Sequence, residues 1–190
     1  MNTRTRRLAS FTLLLLACFA FACNLDETEE ANKLIDAGNA AITEAEKYWE
    51  EANSKTHEIF DSLSPEEYLE KRDSLKSTAQ QAVASFEKSA AKCREASAKF
   101  DQASKLKVQE KLREYLIAKS QEWAKYAERA DVAKESPKAF MESSDAITFS
   151  KKNNEINERI ARLEREASEL AEKSNKIHRE NKNIFLLDSR

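Results

Sequence analysis

Apolar and small residues recur along most of the chain at alternating intervals of four and three positions. The first series is Ala31, Ile35, Gly38, Ile42, Ala45, Trp49, Ala52, Thr56, Ile59 and Leu63. This heptad spacing places the series on one stripe of an α-helix and is typical of helices that pack with a left-handed twist. Four further residues widen the stripe on one side, which favours a bundle over a two-stranded rod: Leu34, Ala41, Tyr48 and Phe60. Gly38 costs a helix about 1 kcal/mol relative to alanine, so its place in the stripe predicts a close helix approach.

A second series follows a strong helix-start signal, in which Ser64 is the N-cap, Pro65 the first helical residue and Glu67 the capping-box partner. Its members are Leu75, Ala79, Ala82, Phe86, Ser89, Cys93, Ala96, Phe100 and Ala103. The apolar residues then change register and continue at Val108, Leu112, Leu116, Trp123, Ala127 and Ala130. A jump between Ala103 and Val108 indicates either a turn or a stutter in one continuous helix. We favour the turn, because it gives rods of roughly 45 to 60 Å that can pack side by side.

The last predicted helix begins near Asp145, after a third helix that is expected to end at Ser136-Pro137. The segment 137–144 is predicted to form a short helical turn or a loop, with Phe140 and Met141 covering the end of the core. The last series is Phe149, Asn153, Ile156, Ile160, Leu163, Ala167, Leu170, Ser174, Ile177, Asn181 and Ile184. Its three polar members either fix the helix register or mark a fraying end. The apolar stretch 184–187 is expected to fold back on the bundle.

These series predict an all-α fold, an antiparallel bundle of about four long helices with heptad seams. The alternative is an elongated coiled coil with one continuous central helix. One glycine, two prolines and 35% charged residues fit either form. Basic and acidic residues are interspersed, so the positive face that nucleic-acid binding requires is missing and no nucleic-acid partner is expected.

The first 22 residues break this pattern. Arg4, Arg6 and Arg7 precede an apolar run from Leu8 to Ala22, which ends in Ala20-Phe21-Ala22. This is the layout of a secretory signal peptide, and the run is shorter than the roughly 20 residues of a spanning helix. We therefore divide the chain into a signal peptide, 1–22, and a helical domain, 23–190. Removing the leader leaves 29 basic residues against 34 acidic ones, a net charge near −5.

The cysteine directly after this site, Cys23, resembles the lipobox cysteine of bacterial lipoproteins. The resemblance covers only the leader, and implies that Cys23 is acylated, with palmitate among the usual chains, and becomes the mature N-terminus. Leu15-Leu16-Ala17-Cys18 is the alternative box, with Cys18 as lipid attachment, but it shortens the apolar run to about seven residues. Ordinary signal-peptidase cleavage after Ala22 is a further alternative. Asn24 lacks the aspartate of an inner-membrane retention signal, which favours the outer membrane.

Candidate chemistry in the remaining chain is sparse. His57 and His178 each follow a seam residue, so both are expected to flank the core, and neither is preceded by the Glu-x-x spacing of di-iron bundles. A single glycine cannot form a phosphate-binding loop. Cys93 is expected to be a buried free thiol, while Trp49 and Trp123 are expected in the core. No catalytic, cofactor-binding or metal residues are predicted.

The sequence therefore predicts a non-enzymatic lipoprotein, anchored in the cell envelope as a structural or protein-interaction module. Its expected partners are the membrane, through the lipid, and an envelope protein. The alternative function is a binding module that holds a small apolar or lipid ligand between its helices.

Overall fold

A computed structural model describes residues 27–60 and 66–185. Its helices are α1 (Thr28–Phe60), α2 (Tyr68–Ser104), α3 (Glu110–Ala133), α4 (Glu135–Glu142), α5 (Ala146–Glu180) and α6 (Lys182–Phe185). The predicted leader with Cys18 and Cys23 lies outside the described residues. So do Ser64 and Pro65 of the predicted α2 start, and residues 186–187 of the C-terminal apolar stretch. Glu67, the predicted capping-box partner within the helix, is instead the N-cap of α2, which begins at Tyr68.

The four long helices run antiparallel in chain order. α1 packs along α2, α2 along α3, and α3 along α5. Hydrogen bonds mark the first two pairings: Ser89 Oγ donates to the Ala45 carbonyl at 2.9 Å, and Ser97 Oγ to the Ser120 carbonyl at 2.8 Å. The prediction of an all-α, antiparallel bundle of four long helices is confirmed. Over the described residues α1 and α5 have little contact with each other, so the row of helices does not close fully.

The register jump after Ala103 is a turn, and the continuous central helix is excluded. Leu106 N–H donates to the Ala103 carbonyl at 3.2 Å, and Val108 N–H to the Leu106 carbonyl at 2.9 Å. Glu27 then holds the loop, because its N–H donates to the Lys107 carbonyl at 3.1 Å while its Oε2 accepts from Lys107 N–H at 2.7 Å. Over the described residues no backbone takes a positive φ, so this turn needs no glycine.

The predicted helix boundaries around Pro137 need correction, whereas the predicted start of the last long helix is confirmed. α3 ends at Ala133, before the predicted Ser136-Pro137, and 135–142 form a full short helix. Pro137 is accommodated because it lies in the first turn of α4, where a backbone N–H has no partner within the helix. α5 begins as predicted: the N-cap Asp145 accepts a hydrogen bond from Thr148 N–H at 2.8 Å.

The heptad series are the packed faces of the helices. In α2, every series member from Ala79 to Ala103 is buried. Gly38 lies against Phe100, since a Cβ at Gly38 would stand 3.0 Å from Phe100 Cζ, and the predicted close approach is confirmed. Phe140 is buried at the end of the core and Met141 packs beside it, as predicted.

The three polar members of the α5 series have different surroundings. Ser174 is fully buried; its Oγ donates to the Ala171 carbonyl of its own helix at 2.9 Å and lies 3.4 Å from Glu122 Oε2 on α3. Asn153 accepts a hydrogen bond from Ser136 of α4. Asn181 instead lies at the C-cap, where its amide donates to the Ile177 carbonyl at 2.8 Å. The first two therefore join packed elements, and the third marks the helix end.

Candidate functional site

A cleft of about 450 Å³ opens where α1 and α5 diverge. α1 contributes Ile42, Ala45, Glu46 and Trp49, α2 contributes Ser89 and Cys93, and α5 contributes Glu164. The remaining lining residues come from α3: Lys119, Glu122, Trp123, Tyr126 and Arg129. Its volume is within the range of small-molecule sites.

Small residues form the floor of the cleft. Ala45, Ser89 and Cys93 are all at most 3% exposed and bring α1 close against α2. The larger seam residues of α1 on either side, Ile42 and Trp49, are only half-buried. The cleft therefore exists because the α1 stripe is covered by α2 but only partly by α5.

Arg129 bridges the cleft from α3. Its guanidinium carbon lies 3.8 Å from the ring centroid of Trp49 on α1 and 4.7 Å from that of Tyr126. It also forms an ion pair with Glu164 on α5. The Arg129 side chain is 15% exposed, so these cation–π contacts are partly shielded from water. Such shielding strengthens cation–π contacts. Arg129 thus joins the two helices that otherwise diverge.

A buried ion pair lies deeper in the same wall. Both carboxylate oxygens of Glu122 accept from Lys119 Nζ, at 3.0 and 2.9 Å. Their side chains are 5% and 17% exposed, respectively. Ser174 Oγ of α5 lies 3.4 Å from Glu122 Oε2. A charge at this depth is tolerated because its partner and hydrogen bonds are in place.

Two buried hydrogen-bond donors of the lining residues lack an acceptor among the described residues. They are the indole Nε1 of Trp123 and Nε of Arg129. Trp123 is 7% exposed and its ring centroid lies 5.0 Å from that of Tyr126. Most buried polar groups in folded proteins are hydrogen-bonded, so these two donors are unusual, and one further buried atom without a partner in the described residues, Ser143 Oγ, lies outside the cleft.

Burial favours the neutral forms of one thiol and two phenols near the cleft. Desolvation raises the pKa of the Cys93 thiol to about 11, and raises the pKa of Tyr126 and of Tyr115. A thiol with such a pKa is protonated at neutral pH and is a poor nucleophile. The expected buried free thiol is confirmed.

Most sequence predictions for individual residues are confirmed. His57 and His178 are exposed and flank the core, with His178 beside Tyr115 at 6.1 Å between ring centroids. Trp123 is buried as expected, but Trp49 is half-buried, because α5 only partly covers it.

The sequence analysis missed the charged residues of the cleft. A second four-three series on α3, beside the apolar one, contains three of the five: Tyr115, Lys119, Glu122, Tyr126 and Arg129. Aromatic residues interleaved with charges at heptad spacing were the available signal. Charged residues on a helix are usually solvated, and the helix sequence alone does not show that Glu122 is buried. Glu122 contacts Ser174 of α5, which is 52 residues away in sequence.

In the described part of the chain, no group of three or more His, Cys, Asp or Glu residues is placed to hold a metal ion. No described helix combines the length and the hydropathy required to cross a bilayer. No family model matches this chain, and neither a curated protein nor a solved structure is significantly similar to it. A functional proposal for this chain therefore rests on its own sequence and geometry.

Proposed function

We propose that this protein is a lipid-anchored helical module of the bacterial cell envelope that binds a protein partner and catalyses no reaction. The observation that carries the proposal is the leader, in which three arginines and an apolar run end in Ala20-Phe21-Ala22 directly before Cys23, the pattern of a signal peptide with a lipobox-like cysteine. Acylation of Cys23 would anchor the helical domain to a membrane, and the outer membrane is favoured. Two or more acyl chains make such an anchor stable.

The exposed apolar residues support a protein partner. Leu69 is 54% exposed and Ile147 is 83% exposed. They stand at the starts of α2 and α5, which meet where the rings of Tyr68 and Phe149 stack with 5.7 Å between their centroids. This end lies opposite the start of α1, which follows Cys23 in sequence, and the 33 residues of α1 span about 50 Å. The exposed pair would thus face away from the membrane.

The anchoring is tested with Cys23→Ser and Cys18→Ser in the full-length chain, labelled in cells with an alkyne analogue of palmitate. The wild type and Cys18→Ser are expected to carry the label and to float with membranes. Cys23→Ser is expected to lose both properties. Loss of the label only in Cys18→Ser would assign the lipid to Cys18, and a wild type without label would reject the lipoprotein.

The partner is tested by placing a photo-crosslinking amino acid at Ile147 or Leu69 in the anchored protein. A matched control carries it at Glu158, on an exposed charged face of α5. A specific adduct is expected from the first two positions and not from the control. An identical pattern from all three positions would contradict a partner site at this end.

The cleft favours a second candidate function, the binding of a small ligand between the helices. This second function is supported by the 450 Å³ of space beside Trp49, Trp123 and Tyr126. Two buried hydrogen-bond donors of the lining residues also lack acceptors among the described residues. Both functions involve binding without catalysis, and one anchored protein can perform both.

A further inference from the structure

We infer that the end of the bundle nearest the anchor makes a second, non-covalent contact with the membrane. In this contact the last turns of α5 and the apolar residues that follow them bind an anionic lipid surface. The inference rests on the proposed function, since it requires the lipid at Cys23, and it names the surface that the anchored domain recognises. The position of this end, its charge and its apolar residues each support one part of it.

The end of α5 and the start of α1 lie at the same end of the bundle. The Glu27 N–H donates to the carbonyl of Lys107, in the turn between α2 and α3, at 3.1 Å. α3 follows this turn, and the ring centroid of its Tyr115 lies 6.1 Å from that of His178 on α5. The four residues from Cys23 to Glu27 span at most about 14 Å. An acylated Cys23 would therefore hold the end of α5 close to the lipid head groups.

The end of α5 is basic, unlike the rest of the chain. Residues 172–190 hold five basic and three acidic side chains, whereas 23–171 hold 24 basic and 31 acidic ones. Four cations of this end are exposed and form no ion pair within the described residues: Lys173, Lys176, Arg179 and Lys182. Each Lys or Arg near an anionic membrane surface favours binding by about fivefold. These side chains are therefore available to lipid phosphates.

The other elements at this end do not supply the same charge. Glu29 and Glu30 are exposed at the start of α1. In the turn and the first part of α3, Lys105, Lys111 and Arg113 each pair with a carboxylate three or four residues away. The unpaired positive charge of this end therefore belongs to α5, and we expect the lipid contact beneath α5 rather than beneath α1.

Four apolar residues, Ile184-Phe185-Leu186-Leu187, follow these cations in sequence. The first two end α6, which lies beside α3 and α5. The sequence predicts that this stretch folds back on the bundle, but beside a bilayer it would enter the head-group region instead. Segments that combine basic residues with Phe and Leu are typical of the membrane interface, where affinity rises with buried apolar area and with charge. The apolar stretch and the cations thus favour the same surface.

A tryptophan at position 185 tests the contact by fluorescence. The mature chain, 23–190, is coupled through Cys23 to a maleimide lipid, while Cys93 is only 3% exposed and is protected. Phe185→Trp supplies the probe, and the same protein without this change gives the background of the two native tryptophans. The vesicles contain phosphatidylcholine with brominated acyl chains, which quench a nearby indole, with or without phosphatidylglycerol. We expect strong quenching with phosphatidylglycerol, and a ratio of quenched to unquenched probe at least about tenfold lower without it.

Two triple variants with the same change in net charge identify the cations. Combined Lys176→Gln, Arg179→Gln and Lys182→Gln should lower that ratio at least about tenfold with phosphatidylglycerol present. The matched control should quench like the parent, because it removes three exposed cations of α5 farther from this end: Lys151→Gln, Arg162→Gln and Arg165→Gln. Sodium chloride should weaken the quenching by screening, and glycerol phosphate at equal ionic strength should weaken it no further.

Four results would overturn the inference. Equal quenching with and without phosphatidylglycerol would contradict recognition of anionic lipid, and quenching in neither vesicle would contradict a membrane contact. Equal losses in the two triple variants would assign the effect to net charge instead of the end of α5. Stronger competition by glycerol phosphate than by chloride would assign these cations to a free phosphate ligand.

Failure of this contact and failure of the proposed function are distinguishable. The maleimide lipid supplies the anchor, so the quenching does not depend on acylation in cells. The alkyne label tests that acylation separately. A wild type without the label would reject the lipoprotein and, with it, this contact in the cell, whereas a labelled protein without quenching would reject the contact alone.

Discussion

Among the described residues Glu122 is the one buried carboxylate, and its partners decide its effect on stability. Lys119 neutralises it from the same helix, and Ser174 of α5 lies within 3.4 Å. Removing one partner of a buried pair costs more than the pair contributes, because it leaves an uncompensated charge. Exposed pairs of the same type contribute little.

Lys119→Met should therefore lower the free energy of unfolding by about 3 kcal/mol, measured by urea denaturation. Lys111→Met is the matched control, since Lys111 and Glu114 form the same i,i+3 pair on α3 but are 50% and 38% exposed. The control should change the free energy of unfolding by less than about 1 kcal/mol.

Combining Lys119→Met with Glu122→Leu should recover most of the loss, because both charges are then absent from the buried site. If the single and double variants are equally unstable, packing by the Lys119 stem rather than its charge holds this part of the wall.

Gly38 illustrates a residue whose propensity and packing oppose each other. Alanine is favoured in a helix by about 1 kcal/mol, yet a Cβ at Gly38 would lie 3.0 to 3.3 Å from three ring atoms of Phe100. Phe100 is 1% exposed, so its ring has little room to move. Gly38→Ala should therefore lower the thermal midpoint. The same substitution in a Phe100→Leu background should raise it, and a rise in both backgrounds would contradict the close approach.

At the scale of elements, each helix buries the stripe that the heptad spacing predicts, but α1 and α2 do so to different extents. Phe86, on α2 between two neighbours, is 2% exposed. Trp49 lies on α1, which packs along its whole length only against α2. Trp49 is therefore half-buried, although its ring centroid lies 5.2 Å from that of Phe86. The position of a helix in the row therefore decides how completely its stripe is covered.

Shortening individual side chains distinguishes the buried seam residues from the exposed surface residues. Phe86→Ala and Leu163→Ala remove buried side chains on two helices and should each lower the free energy of unfolding by roughly 2 to 5 kcal/mol. Glu158→Gln and Lys173→Gln change exposed positions of α5 and should stay within about 0.5 kcal/mol. Urea denaturation at pH 7 checks all four. Equal, small effects would indicate that the seams are packed only in the presence of a partner.

At the scale of the whole molecule, local periodicity predicts most of the fold. The turn after Ser104 and the start of α5 at Asp145 follow from register and capping, which are properties of neighbouring residues. The break at Ala133 was missed, because a proline inside a first helical turn gives the same local signal as a helix end. The cleft was also missed: which pair of helices diverges depends on packing between residues far apart in sequence.

Cys93 reports on the intactness of the whole bundle, since it is 3% exposed on α2 and lines the cleft beneath α1 and α3. In the mature chain with Cys23→Ser it is the sole cysteine. With a pKa of about 11, about one native thiol in a thousand is ionised at pH 8, against roughly a quarter of unfolded thiols. Modification by dithiobis(nitrobenzoate) should therefore be slow and should accelerate in Phe86→Ala in proportion to the unfolded population.

The same raised pKa gives a pH dependence of defined sign. Between the unfolded pKa of about 8.5 and the folded value of about 11, the native state retains a proton that the unfolded state loses. The free energy of unfolding should thus be unaffected by this thiol below pH 8 and fall as the pH rises towards 9.5. Cys93→Ala should abolish that part of the decline. Native-state modification as fast as that of a free thiol, with an unchanged urea midpoint, would show instead that the cleft opens to Cys93 without unfolding of the bundle.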